Sequence, residues 1–219
     1  MGVLEMLRAW YAPARALRGL YEVEELEALR ATLAGGQGVL LVISHHTTLE
    51  LCYRLVSDAL GRPLRMMLRS HNSPCVEAQL RRARGLHFLP QLEKKDVASL
   101  LAALRAGELV VYSPDQDFSY RHAFVPFFGV PAATLVGTAE LVRQGGARLF
   151  VLWCRRGDDG RYRLRIEPEW PGWREASPEA AAAMYMRALE AEVRQAPEQY
   201  LWVHRRYKTR PPGEPSLYS

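Results

Sequence analysis

Residues 38–50, GVLLVISHHTTLE, run an unbroken apolar stretch straight into two histidines, two threonines and a carboxylate. Residues 39–43 are all apolar and include the β-branched Val39, Val42 and Ile43. With no polar position to turn toward water, they predict a parallel strand covered on both faces. Such a strand presents functional groups beyond its carboxyl end, and His45 falls there. A polar start at Thr47 and Thr48, then Glu50, Leu51, Arg54, Leu55 and Leu60, predicts a helix directly afterwards. On one continuous helix five residues turn through about 500°, which would leave His45 and Glu50 about 140° apart. The two meet only if His45 sits in the loop and Glu50 in the first turn. There Glu50 would accept one imidazole N–H, fix the tautomer and make the other nitrogen a better base. A plainer reading of the same residues is a capping box, Thr47-x-x-Glu50, with His45 and His46 as loop residues.

The rest of the chain alternates strand and helix patterns. Residues 64–68, 86–89, 108–112 and 147–153 read as strands, and 74–84, 96–105, 134–144 and 177–196 as helices. Asp158-Asp159-Gly160 makes a turn from which 161–167 returns antiparallel. The expected fold is therefore α/β, a mostly parallel central sheet with helices on both faces and an antiparallel edge hairpin. Residues 3–20 carry an apolar stripe with interleaved arginines, interrupted near Pro13, and 22–34 form a second helix. The stripe either lies on a membrane surface or packs on the domain. This organisation gives N-terminal helices over 1–34 and a single α/β domain over 35–219.

With 219 residues, 48% of them hydrophobic, the chain can bury one sizeable core. A net charge of +5 points to acidic partners: nucleic acid, anionic headgroups or an acidic carrier protein. Cys52, Cys75 and Cys154 have no C-x2-C spacing, so neither a disulfide framework nor a zinc site is expected, and a reducing compartment fits. No window approaches the ~20 apolar residues of a membrane-spanning helix.

Other candidate residues follow from placement. Arg69 and Asn72 follow the strand at 64–68; if that strand is a parallel neighbour of 39–43, they emerge at the same sheet edge as His45, and otherwise they belong to a solvated loop. Asp115 and Asp117, two apart after Pro114, would with His45 suggest a metal site, but no further carboxylate or histidine cluster completes a shell, and no metal or other cofactor is expected. Residues 124–129, FVPFFG, either line an apolar channel or are ordinary core. In the C-terminal run YLWVHRRYKTRP, Arg205, Arg206 and Lys208 alternate with aromatics, as in a phosphate-gripping patch or a set of snorkelling side chains.

HHTTLELC, with RSHNSP at 69–74, YSPDQDFSYRHAFVPFFGVPAAT at 112–134 and PEQYLWVHRRYKTRPPG at 197–213, resembles in sequence and order the lipid A biosynthesis acyltransferases, the lauroyl and myristoyl transferases within the H-x4-D/E glycerolipid acyltransferase superfamily. The resemblance implies transfer of a fatty acyl group from acyl carrier protein, or from acyl-CoA, to a hydroxyl of a lipid A precursor. It implies His45 as general base oriented by Glu50, with Arg69 as a candidate oxyanion donor and Arg69, Asn72, Asp115, Arg205, Arg206 and Lys208 as substrate-binding residues. Direct transfer is expected, because no serine or cysteine has an obvious adjacent base. The implied setting is peripheral, on the cytoplasmic face of the bacterial inner membrane, with an anionic lipid or saccharolipid as acceptor and no nucleic acid. Full-length members of that family usually carry an N-terminal transmembrane anchor. The alternatives are acylation of another polar lipid (lysophospholipid, ornithine lipid or glycolipid), or a non-catalytic module that binds lipid or nucleic acid through the basic C-terminus.

Overall fold

A computed structural model describes residues 2–218. The first half contains α1 (Gly2–Tyr11), α2 (Ala14–Leu17), β1 (Tyr21–Glu24), α3 (Leu26–Ala34), β2 (Val39–Ile43), α4 (Leu49–Leu60), β3 (Arg65–Leu68), α5 (Pro74–Arg84), β4 (Leu92–Glu93), α6 (Val97–Arg105) and β5 (Leu109–Tyr112). Then come β6 (His122–Phe127), β7 (Val130–Leu135), α7 (Thr138–Gln144), β8 (Arg148–Arg156), β9 (Tyr162–Pro168) and α8 (Pro178–Gln195). Short 3₁₀ turns at Pro197–Gln199 and Trp202–His204 lead into the tail.

Seven strands form one sheet in the order β1-β9-β8-β2-β5-β3-β4, and β6 pairs with β7 in a separate antiparallel ribbon. The block β8-β2-β5-β3-β4 is parallel throughout. β2 lies in its interior, and its alternation feeds two cores. Val39, Leu41 and Ile43 point to the side packed by α1, α3 and α4, whereas Leu40 and Val42 point to the side packed by α6, α7 and α8. Every residue of β2 is buried. Its entry demands glycine, because a Cβ on Gly38 would lie 1.9 Å from the backbone oxygen of Leu104 at the end of α6.

The helices follow their caps. Asp96 accepts a hydrogen bond from the Ser99 N–H at the start of α6, and Ser177 does the same for Ala180 at the start of α8. Among the described residues no helix is long and apolar enough to cross a membrane.

Five expectations change. Tyr21–Glu24 is a strand paired with β9, its Tyr and Val turned inward and its two glutamates outward. It consequently covers β9, so the antiparallel return at 162–168 is not the sheet's edge. The short strand expected at 86–89 falls instead at Leu92–Glu93. Part of the helix expected over 134–144 is β7, which turns back from β6 through Phe128 and Gly129, both at positive φ. Glycine is favoured there and phenylalanine is not. Phe128 is held by its N–H, which donates to Glu190 at 2.6 Å, and by Arg194 stacked 4.7 Å from its ring centre. Finally, Cys52 on α4 and Cys154 on β8 are joined as a disulfide; cysteine spacing along the chain gave no sign that a helix over one strand and its neighbour would bring them together.

Candidate active site

The register of two strands assembles the site. β2 and β5 are parallel neighbours with Val42 opposite Tyr112, so residues three further along each strand, His45 and Asp115, also come opposite one another. Past the strand ends the ladder is continued by a side chain. The His45 N–H donates to Asp115 Oδ2 at 2.8 Å, and His45 Nδ1 lies 2.7 Å from Asp115 Oδ1. Asp115 is fully buried. Burial alone would raise its pKa, but the charge of His45 and the hydrogen bonds from it prevail, and the carboxyl is held below its ordinary value. An ionised carboxylate can only accept, so His45 presents a proton on Nδ1 to it, and in the neutral imidazole the lone pair is then on Nε2.

That Nε2 faces a cavity of about 550 Å³. Gln116 Nε2 stands 3.0 Å from it and 3.0 Å from Nε2 of His204, whose ring lies edge-on to His45 with centroids 4.8 Å apart. Burial and the neighbouring His45 hold the His204 pKa below its ordinary value. Met67, Leu68, Val97, Leu100, Leu135 and Leu141 give the cavity an apolar body, while Arg69, Lys94, Lys95 and Arg121 add cations. Lys94 and Lys95 lean on the rings of Phe118 and Tyr120, at 5.0 and 5.1 Å. Arg121 is paired with Glu140 at 2.6 Å. Among the described residues no cluster of three or more histidine, cysteine or acidic side chains is arranged to hold a metal ion.

The residues expected from sequence divide. His45 and Arg69 meet in the one cavity although β5 separates their strands, because all three strands end at the same edge of the sheet. Asn72 is exposed and accepts from Arg69 at 2.9 Å. Glu50 does not take the expected place beside His45. It points to the other side of α4's first turn, where Arg84 Nε donates to it at 3.1 Å and Trp10 Nε1 at 3.1 Å. The carboxylate that orients His45 is Asp115, assigned from sequence only to substrate. The capping box is absent as well, since the N-cap is Thr48 and its side chain makes no cap bond. Asp117 does not face the base either; it accepts from the Thr209 N–H at 3.0 Å and from its hydroxyl at 2.8 Å, clasping the tail.

Nor does the C-terminal basic run behave as one patch. Arg206 is 2% exposed, and its guanidinium donates to Ala133 O at 2.8 Å and to Thr134 Oγ1 at 2.6 Å, so it fastens the tail to β7 and cannot meet a headgroup. Arg205 and Lys208 are exposed, Arg205 lying 5.7 Å over the Tyr218 ring, and neither lines the cavity. The residue of this run that does line it is His204, which sequence reasoning passed over. Residues 124–129 do not line it: Val125 and Phe127 are core.

An imidazole backed by a buried carboxylate, at the wall of a cavity with an apolar body and several cations, at the carboxyl edge of a parallel sheet, is an arrangement able to do general-base chemistry on an amphiphilic substrate. The chain matches the family model for bacterial lipid A biosynthesis acyltransferases over residues 1–209. It is 38% identical over 222 residues to the lipid A biosynthesis palmitoleoyltransferase of Escherichia coli (strain K12), covering 100% of this chain and 71% of that protein. It is also 38% identical over 226 residues to the lauroyltransferase of the same organism, covering 100% and 72%, and 25% identical over 197 residues to its myristoyltransferase, covering 88% and 60%. The chain belongs to the bacterial lipid A biosynthesis acyltransferase family and is an acyltransferase.

Proposed function

We propose that this acyltransferase moves a fatty acyl group from a thioester donor, acyl carrier protein or acyl-CoA, to a hydroxyl of a lipid A precursor. The observation that carries the reading is the Asp115–His45 pair at the wall of the cavity. His45 Nε2 takes the proton of the acceptor hydroxyl as its oxygen attacks the thioester carbonyl carbon, and the C=O electron pair moves onto oxygen. Asp115 steadies the imidazolium. The tetrahedral intermediate then collapses, the C–S bond breaks, and the leaving thiolate receives the proton from His45. Base catalysis of this kind supplies about 10²–10⁴-fold. No covalent acyl-enzyme is invoked: neither Cys52, disulfide-bonded and buried, nor Ser44, buried against His46, faces the cavity, and Ser113, which does line it, has the Tyr53 hydroxyl at 3.5 Å as its side-chain partner and not a base.

The apolar body of the cavity suits the acyl chain, at roughly 0.8 kcal/mol for each buried methylene. Arg69, Lys94 and Lys95 suit anionic groups at the substrates' polar ends. Glu50, paired with Arg84, sets the start of α4 behind the base. Contact with a membrane surface, in this reading the cytoplasmic face of the inner membrane, draws support from α1 only for the surface contact: its Val3, Leu4, Leu7 and Tyr11 are exposed beside Arg8.

The test is to incubate purified protein with acyl–carrier-protein and acyl-CoA donors of several lengths and a panel of lipid acceptors, and to read products by mass spectrometry. Acylated lipid A precursor that disappears with His45→Ala is expected. Acylation of other lipids only, or turnover indifferent to His45→Ala, would overturn the reading.

A further inference from the structure

Besides the base, the reaction needs a donor for the oxygen that becomes negative, and the structure supplies one through a side chain bound to the base itself. An amide nitrogen can only donate, so the Gln116 Nε2 contacts at 3.0 Å to His45 and 3.0 Å to His204 require lone pairs on both imidazole nitrogens. The Asp115 contact fits that state of His45, since the carboxylate takes the Nδ1 proton and the neutral ring then has its lone pair on Nε2. The opposite amide orientation would place its oxygen against that lone pair. Gln116 therefore presents one N–H to His45 and the other to His204.

We propose that Gln116 is a catalytic residue, the oxyanion donor of the transfer, and that His204 is the positioning residue that aims it. This rests on the acyl-transfer reading above. Before substrate arrives, the Gln116 N–H occupies the lone pair of the base. An incoming hydroxyl must donate to that same lone pair and so displaces the amide. The released N–H is left within a few ångströms of the hydroxyl oxygen, on the cavity side, where the carbonyl oxygen of the attacked thioester gains its charge. His204 keeps hold of the second N–H, so the amide stays in place when the first bond is lost. Substrate binding and exposure of the donor are thus one event. Arg69, the oxyanion candidate from sequence, instead has a guanidinium nitrogen committed to Asn72.

The experiment is steady-state kinetics of Gln116→Met, His204→Phe and His204→Gln with an acyl thioester and the lipid acceptor, alongside binding of a non-cleavable acyl-thioether analogue of the donor. Gln116→Met has the same length and no N–H; kcat should fall roughly 10²–10³-fold, with KM for both substrates and analogue affinity within about threefold, the pattern of an interaction made only in the transition state. His204→Phe should lower kcat about tenfold or more, and His204→Gln, which restores an acceptor oxygen, should recover most of it. If Gln116→Met fails to fold by circular dichroism, Gln116→Glu, which accepts but cannot donate, should show the same loss in kcat. A Gln116 variant that folds and turns over at wild-type kcat would overturn the proposal, as would a His204→Gln no better than His204→Phe. Wild-type protein inert toward every thioester and acceptor would overturn the transferase reading itself, and this inference with it.

Discussion

Asp115→Asn and Glu50→Gln remove one charge each from two carboxylates near the same helix start, and the structure assigns them opposite consequences. Asp115 accepts twice from His45, through its backbone N–H at 2.8 Å and its Nδ1–H at 2.7 Å, in a fully buried position. Asparagine offers a single oxygen. If that oxygen takes the backbone N–H, the NH₂ faces Nδ1 and can be satisfied only by a lone pair there, which shifts the proton to Nε2 and removes the base. In hydrolase triads the equivalent change costs about 10⁴ in kcat, or roughly 5.5 kcal/mol at 1.36 kcal/mol per tenfold. Glu50→Gln keeps an acceptor oxygen for Arg84 or for Trp10 but sets its NH₂ against the other donor, and because neither contact touches His45 its cost falls on stability, about 1–3 kcal/mol, with kcat reduced no more than about tenfold. The assay is kcat at saturating donor and acceptor, with a thermal melt of each variant. Asp115→Asn retaining wild-type kcat, or Glu50→Gln losing as much kcat as Asp115→Asn without losing stability, would refute the assignment of Asp115 as the orienting carboxylate.

Other outcomes follow from single contacts. Arg206→Ala should destabilise the fold by about 2–4 kcal/mol, since it removes two buried hydrogen bonds, to Ala133 O and Thr134 Oγ1, and leaves a cavity where the side chain packed; a melt unchanged from wild type would restore the headgroup role. Asp115, His46 and His204 all have folded pKa values below their ordinary ones, so each contributes stability that is complete above its unfolded pKa and is lost as pH falls through the folded value. The histidines should therefore begin to weaken the fold below about pH 6.5 and Asp115 only below about pH 4, and melting temperature against pH will show whether the decline is in that order. Lys94→Ala with Lys95→Ala should raise KM for an anionic substrate roughly tenfold, about one ionic contact, at nearly constant kcat. Identical kinetics in low and high salt for wild type and the double variant would count against that role.

Much of the fold is legible in residue order because it is written at short range. Residues 39–43 carry no polar position, Asp96 and Ser177 sit where the caps of α6 and α8 form, and each pattern is complete within a few neighbours. The β6–β7 turn was hidden for a local reason, since phenylalanine at positive φ is tolerated only because Glu190 and Arg194 of a distant helix hold it. Arg206 shows the same limit on the charged side: in sequence it looks like its neighbours Arg205 and Lys208, and only the docking of the tail on β7 buries it.

For the site, the sequence by itself determined that a histidine stands at the carboxyl end of a buried strand, followed by a helix. Which group serves that histidine was decided by the tertiary structure. Asp115 is 70 residues away, and it reaches His45 because β5 lies beside β2 in a parallel register that matches the two loops residue for residue. Gln116 comes with Asp115 just past the end of β5, and His204 joins them because the tail folds back across the same edge. Spacing along a chain fixes only what a single helix or strand can bring together, and strand order depends on which faces bury most apolar surface, a property of the whole assembled core.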